Sequence, residues 1–251
     1  MTPARKPLLV LLHGGGVGPW MWAAQRAHFA DRFEVVTPTL PGHDPARTSD
    51  FTTTAAAARA VAEEIGLEQR GEPVTVLGFS LGGQVAVHLA ALFPRQVDRL
   101  IVVSSVLTPV PAIRMMAPLA MLSFPLSKQE NFARKQAAAM FLSQEMLSDY
   151  LKISRALSRA SFLAIMRENF SCDAARILGS IEAIDANRVL LISGEKEPKV
   201  LQQAMSKVAA QFPAATRVSL PDTSHGSWLQ SSSTLHEELD VWLERTGPPA
   251  P

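Results

Sequence analysis

The sequence predicts an α/β fold: a mostly parallel sheet of about six strands, helices on both faces, and a helical cap inserted between the fourth and fifth strands. Three observations carry this. Short apolar, β-branched runs alternate with segments of helical length from Leu8 to Leu243, the rhythm of strand–helix–strand units in a parallel sheet. One of those runs, Val74–Phe79, ends in Gly78-Phe79-Ser80-Leu81-Gly82 and passes directly into a helix-like stretch. Between Ser105 and Ile184 the alternation stops, and several helical segments follow, punctuated by Pro109, Pro111, Pro118 and Pro125.

Taken in order, Leu8–His13 reads as the first strand and Glu34–Pro38 as the second. A helix is expected from Thr53 to Gln69; the hydroxyls of Thr52, Thr53 and Thr54 suit its N-cap, and four consecutive alanines follow. Val74–Phe79 is the third strand, Leu81–Phe93 its helix and Arg99–Ser104 the fourth strand. Arg188–Ser193 and Arg217–Leu220 complete the sheet, with a helix over Val200–Phe212 between them and a last helix over Leu229–Arg245. Residues 1–105 and 185–246 are therefore expected to form the core and 106–184 the cap. The tail 247–251, Gly-Pro-Pro-Ala-Pro, suits neither helix nor central strand and is expected to be disordered.

Length and composition bound the function. A chain of 251 residues accommodates one α/β domain with an insertion better than two full domains. Its net charge of +1 gives no footprint for nucleic acid or an anionic membrane. With Cys172 the single cysteine, an internal disulfide is excluded and no thiolate metal cluster can form. The apolar run Pro7–Leu12 is too short for a signal peptide, and no stretch approaches the roughly 18 residues of a membrane span. The expectation is a cytoplasmic monomer or homodimer with neither metal nor cofactor.

The chemistry starts at Ser80. A serine at the apex of a strand–turn–helix, with glycines two positions either side, suits a nucleophile held in strained backbone angles. A serine hydroxyl needs a base to take its proton. Of six histidines, His13 and His43 sit in glycine-flanked loops, His88 follows the serine turn on its helix, and His28 and His236 fall in helical segments. His225 lies in the loop after the last strand, Pro221 to Gly226, where an imidazole can be held over the nucleophile. The orienting carboxylate should come between Ser80 and His225. Glu197, in Gly194-Glu195-Lys196-Glu197-Pro198, is the choice, with Glu195, Asp222 and Asp173 as alternatives. Two backbone donors are expected for an oxyanion, one from Leu81 and one from Gly15 in His13-Gly14-Gly15-Gly16.

The cap holds six of the nine methionines, and a soft apolar cover beside a nucleophile suits a small-molecule apolar acyl substrate. Phe79, Trp20, Met115, Met116, Met121 and Phe141 are the expected substrate contacts. Arg114 and Lys128 could supply polar groups, surface charge being the competing reading.

Together these residues resemble the α/β-hydrolase superfamily from Leu8 to Leu243. The His13-Gly14-Gly15-Gly16 segment with Trp20 and Trp22 is similar to the loop of compact esterases and related lyases. Leu40-Pro41-Gly42-His43-Asp44 resembles the Leu-Pro-Gly-His-Gly turn, Gly78–Gly83 the nucleophile elbow, and Ser224-His225-Gly226 the histidine loop. The resemblance implies an α/β-hydrolase fold and a compact capped serine esterase or lipase, cleaving an ester, thioester or lactone through an acyl-enzyme. Ser80 sets it apart from the branches with an aspartate nucleophile. One departure stands out: many such members carry Gly-X-X-Asp where this chain has Gly194-Glu195-Lys196-Glu197. Carbon–carbon bond hydrolases, hydroxynitrile lyases and non-catalytic small-molecule receptors share the scaffold and are the alternatives.

Overall fold

Six parallel strands form one sheet in the order β2-β1-β3-β4-β5-β6. They are β1 (Leu8–Leu12), β2 (Glu34–Val36), β3 (Val74–Phe79), β4 (Val97–Val103), β5 (Val189–Gly194) and β6 (Thr216–Leu220). The computed structural model describes residues 5–46, 49–179, 185–229 and 232–247. Positions 180–184 of the expected cap and 248–251 of the expected tail lie outside the described residues.

Burial on both faces explains the apolar strands. Leu8, Val10 and Leu12 of β1 join one core and Leu9 and Leu11 the other, and β4 divides Leu100 and Val102 from Ile101 and Val103 in the same way. Successive side chains point to opposite faces, so a strand covered twice must be apolar throughout. The first core is covered by α2 (Thr54–Glu64), α3 (Leu81–Leu92) and α10 (Lys199–Gln211), the second by α1 (Ala23–Phe29) and α11 (Ser233–Thr246).

Two helices differ from expectation for local reasons. The Thr53–Gln69 helix ends at Glu64 because Gly66 adopts φ 61°, and a short 3-10 turn, Leu67–Gln69, follows. A left-handed glycine just past the last turn is the common stop signal. Thr53 caps its start, the side chain accepting from Ala56 N–H at 3.0 Å. At the other end of the chain, Leu229 falls in a 3-10 turn, Ser227–Leu229, and α11 begins only at Ser233.

Between β4 and β5 lie α4 (Pro111–Ala120), α5 (Phe124–Ser127), α6 (Glu130–Ala139), α7 (Gln144–Ala156), α8 (Arg159–Glu168) and α9 (Ala174–Gly179). This insertion shares the core rather than standing apart from it: Ile165, Cys172, Ala174 and Leu178 join the first cluster, Ala133, Ala137, Tyr150 and Leu151 the second. Polar contacts fasten its second half. Ser161 Oγ accepts from Phe51 N–H and donates to Asp50, both at 2.9 Å, and Glu168 accepts from the Thr54 N–H and hydroxyl at 2.8 and 2.9 Å.

The strand order reverses at β1, whose neighbours are β2 on one side and β3 on the other. The crevice beyond the carboxyl ends of β1 and β3 is where such sheets receive ligands. Gly14–Gly16 follow β1 there, and Ser80 follows β3.

Candidate active site

Ser80 sits at φ 52°, ψ −118°, a left-handed φ that costs a non-glycine residue on the order of 1–3 kcal/mol. Its surroundings over-determine it. The Ser80 N–H donates to Val103 O at 3.0 Å, while its carbonyl accepts from Gly83 N–H at 3.0 Å and from Ser105 Oγ at 2.7 Å. The flanking glycines are required by contact rather than by φ. A Cβ on Gly78 would overlap the Gly82 carbonyl, and one on Gly82 would overlap the carbonyl oxygens of Leu12 and His13. The turn is thus packed backbone to backbone against the end of β1, with the hydroxyl left half-buried at the surface of the crevice.

Glu197 and His225 come from neighbouring loops, after β5 and β6. Those loops are tied together: Glu195 N–H donates to Leu220 O at 3.0 Å and Lys196 N–H to Thr223 O at 2.8 Å. His225 Nδ1 lies 3.2 Å from Glu197 Oε2. The Glu197 side chain is fully buried, whereas 38% of the imidazole side chain remains accessible. One face of that imidazole packs on the Phe79 ring, centroids 4.9 Å apart. Among the described residues, Ser80 Oγ makes no hydrogen bond to His225; such contacts are often long before substrate arrives.

The competing carboxylates are engaged elsewhere. Glu195 is exposed and accepts from the Asp222 N–H at 3.4 Å. Asp222 is exposed and pairs with Lys196 at 2.8 Å. Asp173 accepts from the Arg176 N–H at 3.1 Å, at the start of α9.

The glycine loop after β1 lies against the serine turn. A Cβ on Gly14 would stand 3.5 Å from Ser80 Cβ, and one on Gly15 would stand 3.5 Å from Leu81 Cδ2 and 3.1 Å from Ile165 Cγ2 of α8. Two buried histidines hold this loop. His13 Nδ1 lies 2.8 Å from Gly14 O and its Nε2 accepts from Leu40 N–H at 3.0 Å. His43 Nε2 accepts from Gly16 N–H at 3.0 Å, and its Nδ1 lies 3.0 Å from Pro41 O. Each ring must therefore be neutral with its proton on Nδ1, the only tautomer that serves both partners. Burial, with His43 nearby, pushes the His13 pKa down to about 3, and burial also lowers that of His43.

A profile of the alpha/beta hydrolase family matches residues 9–237. The chain belongs to that family. Among curated relatives, a pimeloyl-[acyl-carrier protein] methyl ester esterase of Aromatoleum aromaticum is 37% identical over 102 residues, 40% of this chain and 38% of that protein. The match thus spans well under half of that relative's length. A protein of the same description from Nitrosospira multiformis is 26% identical over 238 residues, 89% of each chain. Among solved structures, MenH from S. aureus superposes with a TM-score of 0.78 at 19% identity, covering 97% of this chain and 96% of that one. That likeness is one of fold.

The family's shared scaffold does not fix the remaining contacts, and the structure distributes the expected ones unevenly. Phe79 is buried between His225 and Trp228, so its ring supports the imidazole. Trp20 lines a cleft of about 220 Å³ with His43, Lys152 and Ile153. Phe141 is half-buried at φ 59°, next to Met140, whose carbonyl oxygen lies 3.2 Å from where a Cβ on Gly226 would stand. Met121 is half-buried in a 3-10 turn after α4. Met115 and Met116 are 80% and 58% exposed, because α4 buries only Ala117. Arg114 is exposed on the same helix. Lys128 is committed to the end of α7, donating to the carbonyls of Ser154 at 2.9 Å, Arg155 at 3.1 Å and Leu157. Two further residues shape the site: His43, which the sequence marks only as part of the Leu40–Asp44 turn, and Ser105, for which it carries no signal. No helix among the described residues is long and apolar enough to cross a membrane.

Proposed function

We propose that this chain is a serine hydrolase of carboxylic esters. The observation that carries the proposal is the hydrogen bond from His225 to the buried Glu197, in loops beside the strained Ser80 turn. Ser80 Oγ attacks the acyl carbonyl while His225 Nε2 takes its proton. Glu197 holds Nδ1–H and stabilises the imidazolium that results. The oxyanion is received by the N–H groups of Gly15 and Leu81, each such donor contributing about 3–4 kcal/mol to the transition state. His225 then returns the proton to the leaving alcohol, and water, activated by the same imidazole, releases the acid. The insertion between β4 and β5 acts as the cap, bringing Ile165 over the glycine loop.

The relatives named as pimeloyl-[acyl-carrier protein] methyl ester esterases make methyl and other small-alcohol esters of medium acyl chains the first substrates to try. Intact-mass detection of a fluorophosphonate adduct tests the mechanism without knowledge of the substrate. One adduct on the wild type and none on Ser80→Ala supports it. A folded wild type that stays unlabelled overturns it.

A further inference from the structure

Three successive glycines, Gly14, Gly15 and Gly16, form the loop assigned to one oxyanion donor. Such a segment has no side chains with which to pin itself and samples more backbone conformations than any other. Gly16 itself stands at φ 74°. A donor on Gly15 is useful only if its N–H keeps one direction, since preorganisation is what makes oxyanion stabilisation effective. Anchors from outside the loop must therefore fix it.

The structure has one anchor on each side of Gly15. On the earlier side the Gly14 carbonyl is held by His13 Nδ1 at 2.8 Å. On the later side the Gly16 N–H is held by His43 Nε2 at 3.0 Å. His43 comes from the loop after β2, 27 residues along the chain, and is 1% exposed. Its other nitrogen is tied to Pro41 O at 3.0 Å, so the ring cannot swing without losing a second bond. Its edge also meets the His13 ring, centroids 5.0 Å apart at 66°. The two loops are thus fastened in both directions, since Leu40 N–H returns a bond to His13 Nε2.

We propose that His43 is a positioning residue of the oxyanion loop: by accepting the Gly16 N–H it fixes the Gly15–Gly16 peptide, so that Gly15 is held on both sides and the preceding peptide, anchored by His13, keeps its N–H for the substrate oxygen. The role rests on the hydrolase reading above, but the anchor itself does not. Without the acceptor, the Gly15–Gly16 peptide is free to rotate, the neighbouring Gly14–Gly15 peptide that carries the Gly15 N–H is held from the Gly14 carbonyl alone, and the rate falls with the competent fraction. The ground-state ester makes little use of the hole, so KM should hardly move.

The experiment compares wild type, His43→Leu and His43→Gln on one p-nitrophenyl ester, with thermal melts as a fold control. Leucine removes the acceptor, while the glutamine side-chain oxygen can reach the place of Nε2. The expected result is a kcat lower by about 10- to 100-fold in His43→Leu, a fraction of the 10²–10³-fold cost of deleting a donor outright. KM should stay within about threefold, and His43→Gln should recover most of kcat. A folded His43→Leu with near-wild-type kcat, or a glutamine variant no better than leucine, overturns the proposal. The anchor is read independently by ¹⁵N spectra of histidine-labelled wild type. His43 protonated on Nδ1, with a through-bond coupling from Nε2 to the Gly16 amide, supports it; an Nε2-protonated ring overturns it even if Ser80 turns over substrate. A wild type that shows this coupling but no Ser80-dependent turnover leaves the anchor standing and sinks the hydrolase reading instead.

Discussion

His225 Nδ1 and Glu197 Oε2 stand 3.2 Å apart, yet the two side chains occupy different solvents, the carboxylate fully buried and the imidazole 38% accessible. A buried carboxylate is costly unless it is paired. Here Oε1 has no partner among the described residues, so the bond to His225 is what compensates the burial. In the proposed triad this bond holds the imidazole proton on Nδ1. Glu197→Gln should lower kcat/KM by about 10³–10⁴-fold, the scale of a triad left in the wrong tautomer. Glu195→Gln should change it less than about twofold, because that side chain is exposed and bonds to the Asp222 N–H rather than to the imidazole. Steady-state hydrolysis of a p-nitrophenyl ester checks the ranking, and the reverse order would move the acid.

Much of the fold is legible in the sequence because it is written in local patterns. Strands buried on both faces announce themselves as apolar runs, and Gly78-Phe79-Ser80-Leu81-Gly82 marks a turn whose glycines are compelled by backbone contact. Other features were not legible, since they depend on partners far along the chain. Met115 and Met116 have the chemistry of a substrate cover, but which side of α4 packs is decided by its neighbours, and Ala117 won. His43 looked like a turn residue; its bond to Gly16 spans 27 positions. Phe79 was expected to touch substrate, and only the approach of the loop after β6 shows that its ring lies on His225.

The glycines should separate into two classes on substitution. Gly82→Ala drives a methyl into the carbonyl oxygens of Leu12 and His13, backbone atoms that cannot step aside. It should destabilise by about 3 kcal/mol or more. Gly66→Ala meets only Gln69 Oε1 at 3.6 Å and suffers mainly from φ 61°. Its cost should be about 1–2 kcal/mol, that of a left-handed non-glycine residue. Urea unfolding midpoints give the comparison, and equal losses would contradict the packing described.

Stability should drain away below neutral pH, and histidines set the window. The folded pKa of His13 is pushed down to about 3 by burial, and burial also lowers those of His43, His88 and His236. A group whose folded pKa is depressed is protonated first in the unfolded chain. Its contribution is therefore whole above the unfolded value near 6.5 and is lost as pH falls. For His13 that loss amounts to about 1.4 kcal/mol by pH 5.5, one proton over one pH unit, and it continues toward pH 3. The other three act in the same direction. Urea midpoints at pH 7.5 and 5.5 read the effect before most carboxylates titrate. An unchanged midpoint would mean that these rings are not held neutral.

Lys128 separates a structural from a substrate-facing role in the insertion. Its ammonium donates to the carbonyls of Ser154, Arg155 and Leu157, where α7 ends. Carbonyls at a helix C-terminus lack intrahelical partners and carry the negative end of the dipole, so a cation there is stabilising. The contact is reciprocated, since Ser154 Oγ donates to Ser127 O at 2.6 Å, next to Lys128 in the chain. Lys128→Met keeps an apolar side chain of similar length and removes the ammonium, with its bonds to the three carbonyls and its place 4.7 Å over the Phe124 ring. It should cost about 1–2 kcal/mol, a fall in Tm of roughly 3–6 °C for a chain of this size. The kcat on a neutral ester should stay within about twofold of wild type, because nothing in the reaction is routed through this ammonium. Melting curves beside steady-state kinetics decide it: an unshifted Tm with a raised KM would turn Lys128 from a helix cap into a substrate contact.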